Sequence, residues 1–157
     1  MTTKISTNTP WEPVVGYSRA VAAGDFVFVS GCTSVADGVF VHEGDAEAQT
    51  TQAIANVAQA LEGLGVGLAH VVRTRMFVTD ISRWPEIGDA HRAAFGDVMP
   101  ATSMIQVAAL IDPRLLVEVE AVAYKPGIGA AGAAGPDAPA ADAPGERPAA
   151  APGLGWP

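Results

Sequence analysis

The sequence predicts an α+β domain with two helices packed on one face of a sheet. Three observations carry this. Runs of β-forming residues and helical stripes follow one another as strand, strand, strand, helix, strand, helix, strand, strand. Each of the two helical stretches has a single apolar stripe, which suits packing on a sheet. The last run alternates strictly: Val117, Val119, Ala121 and Ala123 share one face, and Glu118, Glu120, Val122 and Tyr124 the other.

Met1–Pro13 is mostly polar and is expected to be a flexible segment ahead of a domain spanning 14–125. Arg19–Ala22 and Phe26–Ser30 read as strands joined at Gly24-Asp25, and a short strand Val39–Val41 follows a turn at Ala36-Asp37-Gly38. The first helix begins at Asp45, whose carboxylate can accept from the free N–H groups of the first turn. Ala48 stands where Glu or Gln would complete a capping box. Thr50, Ile54, Val57, Leu61 and Leu64 recur at helical spacing, and Gly63, Gly65 and Gly67 end the run. In the strand His70–Thr79, Val72, Thr74, Met76 and Val78 are expected on one face and Val71, Arg73, Arg75, Phe77 and Thr79 on the other. The second helix starts near Trp84-Pro85, since proline suits the first helical position, and buries Ile87, Ala90, His91, Ala94 and Phe95. Thr102–Val107 and Leu116–Ala123 flank a turn at Asp112-Pro113, where proline fixes φ and removes a ladder donor.

Composition excludes several roles. A formal net charge of −8, with nine Lys and Arg scattered over 157 residues, argues against nucleic acid or an anionic membrane as partner. No apolar run approaches the roughly 20 residues a membrane span needs. Cys32 is the single cysteine, so an intrachain disulfide is impossible, and a cytoplasmic location is the default expectation. From Pro126 to Pro157, 25 of 32 residues are Ala, Gly or Pro; such a tail buries too little apolar area to order itself and is expected to be disordered.

Several motifs in register resemble the RidA/YjgF family. Val15-Gly16-Tyr17-Ser18-Arg19-Ala20-Val21 is similar to its opening Gly-Pro-Tyr-Ser-x-Ala-Val. Phe28-Val29-Ser30-Gly31 and Val71–Asp80 are similar to two of its strands. The Pro100-Ala101 pair, the turn ending in Pro113 and Val117-Glu118-Val119-Glu120-Ala121-Val122-Ala123 resemble its closing segment. The resemblance covers roughly residues 11–125. It implies a chorismate-mutase-like mixed sheet, a homotrimer with ligand clefts between subunits, and hydrolysis of reactive enamines or imines without a cofactor. One departure stands out: deaminating members carry an arginine after the Pro-Ala pair, where it clamps the substrate carboxylate, and this chain has Thr102.

Each candidate site residue has two readings. By resemblance Glu118 is the carboxylate that holds the attacking water; equally, it could pair across strands with Arg73 or Arg75. Those arginines either replace the missing clamp or neutralise Glu118 and Glu120, and pairing is the favoured expectation. Tyr17 lines the family's pocket or is an ordinary interface aromatic, with Arg19 beside it in the motif. Gly31 permits close approach of a ligand to the backbone, and Cys32 is expected to be a small buried thiol rather than a nucleophile. His91 falls on the apolar face of its helix and reads as a hydrogen-bonded core or rim histidine before an acid–base catalyst. Thr102 and Ser103 donate and accept where a guanidinium is absent, which suits a neutral or cationic ligand. His42, His70 and His91 have no ligand-like spacing, so no metal is expected. The leading expectation is an enamine or imine hydrolase of altered specificity; a biosynthetic tailoring enzyme and a non-catalytic metabolite-binding trimer are the alternatives.

Overall fold

The computed structural model describes residues 2–7 and 9–128. Strands β1 (Thr2–Ile5), β2 (Ala20–Ala23), β3 (Phe26–Cys32), β6 (Val71–Val78), β7 (Ala101–Gln106) and β8 (Val117–Tyr124) form one sheet in the order β1-β2-β3-β8-β6-β7. All pairs are antiparallel except β6 and β7, which are parallel and connected through a helix, so the sheet is mixed. A short ribbon, β4 (Val35–Ala36) with β5 (Val39–Phe40), turns through Asp37 and Gly38 at φ 51° and 79°. Two successive positive φ values match the right-handed twist of a hairpin, which is why an Asp-Gly pair sits there.

Helix α1 (Trp11–Val15) precedes β2, and the two long helices are α2 (Ala46–Glu62) and α3 (Trp84–Phe95). Asp45 caps α2 as expected, its carboxylate accepting from Ala48 N–H at 2.9 Å. Ala53, Ile54, Val57 and Leu61 of α2 and Ile87 and Phe95 of α3 enter one core with Val27 and Val29 of β3 and Val117, Val119, Ala121 and Ala123 of β8. Among the described residues the other sheet face carries no helix, and Phe26, Phe28, Val72 and Tyr124 are exposed.

The structure corrects two expectations. Residues 1–13, read as a flexible segment, include β1, which extends the sheet beside β2, and the start of α1. Glu12 holds this region: it is buried and accepts from the Ser6 hydroxyl, from Thr7 N–H at 3.0 Å and from the Thr7 hydroxyl at 2.8 Å. The second correction concerns β6. Its register to β8 slips between Val71 and Arg73, so Val71 is buried with Thr74, Met76 and Val78 while Val72 is exposed. A bulge of this kind inserts one residue and reverses the faces of those before it. The tail expectation for 126–157 lies almost entirely outside the described residues.

Candidate functional site

A second bulge builds the site. In β3, Val29 pairs with Ala121 and Cys32 with Val119, so three steps on β3 oppose two on β8. Val29 and Cys32 both point into the core, and Ser30 and Gly31 are left half-exposed with carbonyls turned out of the ladder. Arg19, just before β2, takes up those carbonyls: its Nη1 donates to Gly31 O at 2.6 Å and Ser30 O at 3.3 Å. Its Nη2 donates to the Tyr17 hydroxyl at 3.1 Å, and the guanidinium lies 5.4 Å from the Tyr17 ring centre. Ser30 Oγ donates to Ser18 O at 2.8 Å and closes the group from the other side.

Glu118 completes this cluster from β8. It packs so closely on Gly31 that any β-carbon there would overlap its carboxylate. Burial pushes the Glu118 carboxyl above its usual 4.5, the nearby charge of Glu120 adds to that, and Arg19 partly offsets it. The raised pKa makes this carboxylate a stronger base than a free one, which suits proton transfer. Cys32 lies on the core side, 3% exposed, its thiol donating to Ser30 O at 3.4 Å. Burial pushes its pKa up and keeps the thiol protonated.

The remaining candidates fall into two other groups. Arg75 pairs with Glu120 at 2.6 Å on the open sheet face, and Ser103 sits opposite Arg75 in the β6–β7 register. Glu118 faces Phe77 across the ladder and Arg73 faces Val122, so the expected cross-strand pairing holds for one Arg–Glu pair and not for Glu118. A shallow depression on this face is lined by Arg73, Arg75, Glu120, Ser30 and Phe28. Thr102 and His91 meet on the helix side of the sheet through Thr74, which the sequence reading placed only on one face of its strand. Thr74 Oγ1 lies 2.9 Å from His91 Nε2 and 2.8 Å from Thr102 Oγ1. The signal for Thr74 was a hydroxyl in an apolar strand face, but its partners depend on the β6–β7 register. Within one chain, then, Tyr17, Arg19, Gly31, Cys32 and Glu118 are brought together; Thr102 and His91 lie on the other side of β6.

A mixed six-stranded sheet with two helices on one face thus carries a glutamate of β8 packed on the bulged glycine of β3. The chain belongs to the RidA/YjgF family: the family model described as Endoribonuclease L-PSP matches residues 7–125. The crystal structure of Rv2704 from Mycobacterium tuberculosis, of the YjgF/YER057c/UK114 family, is 49% identical with a TM-score of 0.73, covering 80% of this chain and 100% of that one. An uncharacterized protein of Streptomyces coelicolor is 37% identical over 122 residues, 78% of this chain and 91% of its own length. The 3-aminoacrylate deaminase RutC of Acinetobacter baylyi is 31% identical over 113 residues, 71% of this chain and 89% of its own.

Proposed function

We propose that this protein hydrolyses an imine or enamine of a small metabolite, with Glu118 orienting and deprotonating the attacking water. The observation that carries this reading is the packing of the half-buried, raised-pKa Glu118 on Gly31, flanked by Arg19 and Tyr17. Water adds to the C=N carbon, its proton passing to the carboxylate and from there to the nitrogen, which leaves Glu118 ionised again; the resulting carbinolamine then releases ammonia and leaves a carbonyl. The deaminase name of the Acinetobacter relative supports the same reaction class. RNA cleavage, which the family model's description names, fits poorly with a net charge of −8.

The working form in this reading is a homotrimer, because Phe26, Phe28, Val72 and Tyr124 leave an apolar sheet face open. Its clefts lie between copies, where Thr102 of one copy meets Glu118 of another. Thr102 stands where deaminating members keep an arginine, so the substrate is one whose binding does not depend on a carboxylate clamp. The test generates imines of several amino acids in situ with an oxidase and follows ammonia release against a no-protein control. Acceleration by the wild type that Glu118→Gln removes is the expected result. No acceleration with any imine overturns the reading and leaves a metabolite-binding trimer.

A further inference from the structure

The hydrogen bonds around Thr74 have one direction. Thr102 Oγ1 lies 3.1 Å from Pro100 O, a carbonyl that can only accept, so the single Thr102 hydroxyl proton goes there. Thr102 must then accept from Thr74, and Thr74, its own proton used, must accept from His91 Nε2–H. The tautomer of His91 follows: the proton is on Nε2. Thr74 is 0% exposed, so this polar string threads the layer between α3 and the edge strand β7, where valine would fill the space without needing partners. Both ends reach outward, since Thr102 is exposed and His91 is half-buried, its ring against Phe95 at 4.7 Å between centres.

The geometry points to a proton relay, His91 to Thr74 to Thr102, that protonates the departing nitrogen of the substrate. This rests on the hydrolase reading above and assigns the acid that the reading lacks. In the carbinolamine the C–N bond breaks and its electron pair goes to nitrogen. Nitrogen takes the Thr102 hydroxyl proton, Thr102 takes that of Thr74, and Thr74 takes the Nε2 proton of the His91 imidazolium. His91 ends neutral with its proton on Nδ1. The hydroxyl oxygen becomes the carbonyl as Glu118 takes its proton, and solvent resets both groups. Burial holds the His91 pKa below its usual 6.5, so the resting ring is neutral with its proton on Nε2 and becomes the imidazolium, a readier donor for that low pKa, when Nδ1 takes a proton from solvent. Thr102 touches the substrate in this scheme; Thr74 and His91 act through it.

The experiment compares wild type, Thr74→Val and Thr74→Ser on two imines of the same carbonyl compound, one releasing ammonia and one releasing a weakly basic aromatic amine. Thr74→Val keeps the shape and removes the relay, so kcat for ammonia release should fall about 100-fold with KM little changed, in the range of general acid catalysis. The aromatic amine needs little protonation and should lose much less; Thr74→Ser should restore most of the rate with both. Nitrogen NMR of His91 in the wild type should find the proton on Nε2. A wild-type rate for Thr74→Val, an equal loss with both leaving groups, or a proton on Nδ1 overturns the relay. If wild type is active, Glu118→Gln is dead and Thr74→Val is normal, the relay fails and the hydrolase reading survives. A wild type inert on every imine overturns both.

Discussion

Glu118 and Gly31 occupy space that only a glycine leaves open: a β-carbon at residue 31 would lie 2.5 Å from the Glu118 Cδ. The obstructed group is the end of a flexible side chain, so Gly31→Ala should move the carboxylate rather than break β3. The expected result is a folded protein with its melting temperature lowered by a few degrees and imine turnover reduced about 100-fold, as when a general base is displaced. Thermal melts beside the ammonia-release assay check it. Normal turnover would show that the position of Glu118 is immaterial.

Glu118 should also trade stability for activity. Its pKa is raised in the fold by burial and by Glu120, so the stability tied to this group is fully present below its unfolded pKa. That stability is lost as pH rises through the folded value. Glu118→Gln removes the ionisation and should raise the melting temperature at neutral pH while abolishing turnover. For the wild type, kcat should rise with pH through a midpoint above the usual 4.5. A lower melting temperature for Glu118→Gln would contradict the penalty.

Gln49 ties α2 to the loop that leads into β8, and it was hidden among the polar residues of its helix. It is 1% exposed; its amide donates to Arg114 O at 2.8 Å and His42 O at 3.1 Å, and its carbonyl accepts from Leu116 N–H at 2.8 Å. Gln49→Leu strands Arg114 O and Leu116 N–H, while His42 O keeps Asp45 N–H; at about 1–3 kcal/mol for each group left buried and unpaired, a loss of about 2–6 kcal/mol is expected by denaturant unfolding. A loss below 1 kcal/mol would mean that water replaces the amide.

What could be read from the chain depended on whether a local rule governed it. The alternation of Val117–Tyr124 is local, and its burial follows the expected faces residue by residue. The Asp45 cap and the Pro85 start of α3 are local too. The bulge at Val72 was not legible, because Val71 and Val72 are chemically alike and only the register to Ala123 and Val122 decides which is buried. β1 was missed for a related reason: Thr2-Thr3-Lys4-Ile5 is a polar edge strand whose order comes from pairing with Ala20–Ala23 and from Glu12. At the candidate site, motif resemblance pointed to Tyr17, Gly31 and Glu118, but the Arg19 hydrogen bond to Gly31 O depends on the β3 bulge, and the partners of Thr74 on the parallel register.

Acid should release the N-terminal strand before the rest of the fold. Burial pushes the Glu12 carboxyl up, but hydrogen bonds from Ser6 and Thr7, with the charge of Arg19, outweigh it and hold the pKa below 4.5. Stability from this group is therefore present above the unfolded pKa and lost as pH falls through the folded one. Hydrogen exchange at Lys4 and Ile5 should accelerate, ahead of β8, as pH falls through the lowered Glu12 pKa, and Glu12→Gln should show the same acceleration at pH 7. Unchanged protection in Glu12→Gln would remove Glu12 from this role.

Thr102→Arg should change sign between substrates. An arginine restores a bidentate partner for a carboxylate, and hydrogen bonds to charged groups contribute about 1.5–3 kcal/mol each, so a small anionic enamine should gain at least about tenfold in kcat/KM, mostly through KM. The same substitution removes the hydroxyl that Thr74 donates to at 2.8 Å. With the relay cut, neutral imines releasing ammonia should be turned over more slowly than by wild type. The buried Thr74 hydroxyl is also left without its acceptor, a cost of about 1–3 kcal/mol in stability. Adding Thr74→Val removes that stranded donor, so the double variant should be more stable than the sum of the two single losses, a coupling of about 0.5–3 kcal/mol for contacting residues. Additive losses would mean that the two hydroxyls do not depend on each other. A gain on both substrates would mean that the guanidinium itself supplies the proton path, and Glu118→Gln in the Thr102→Arg background should still abolish turnover of either.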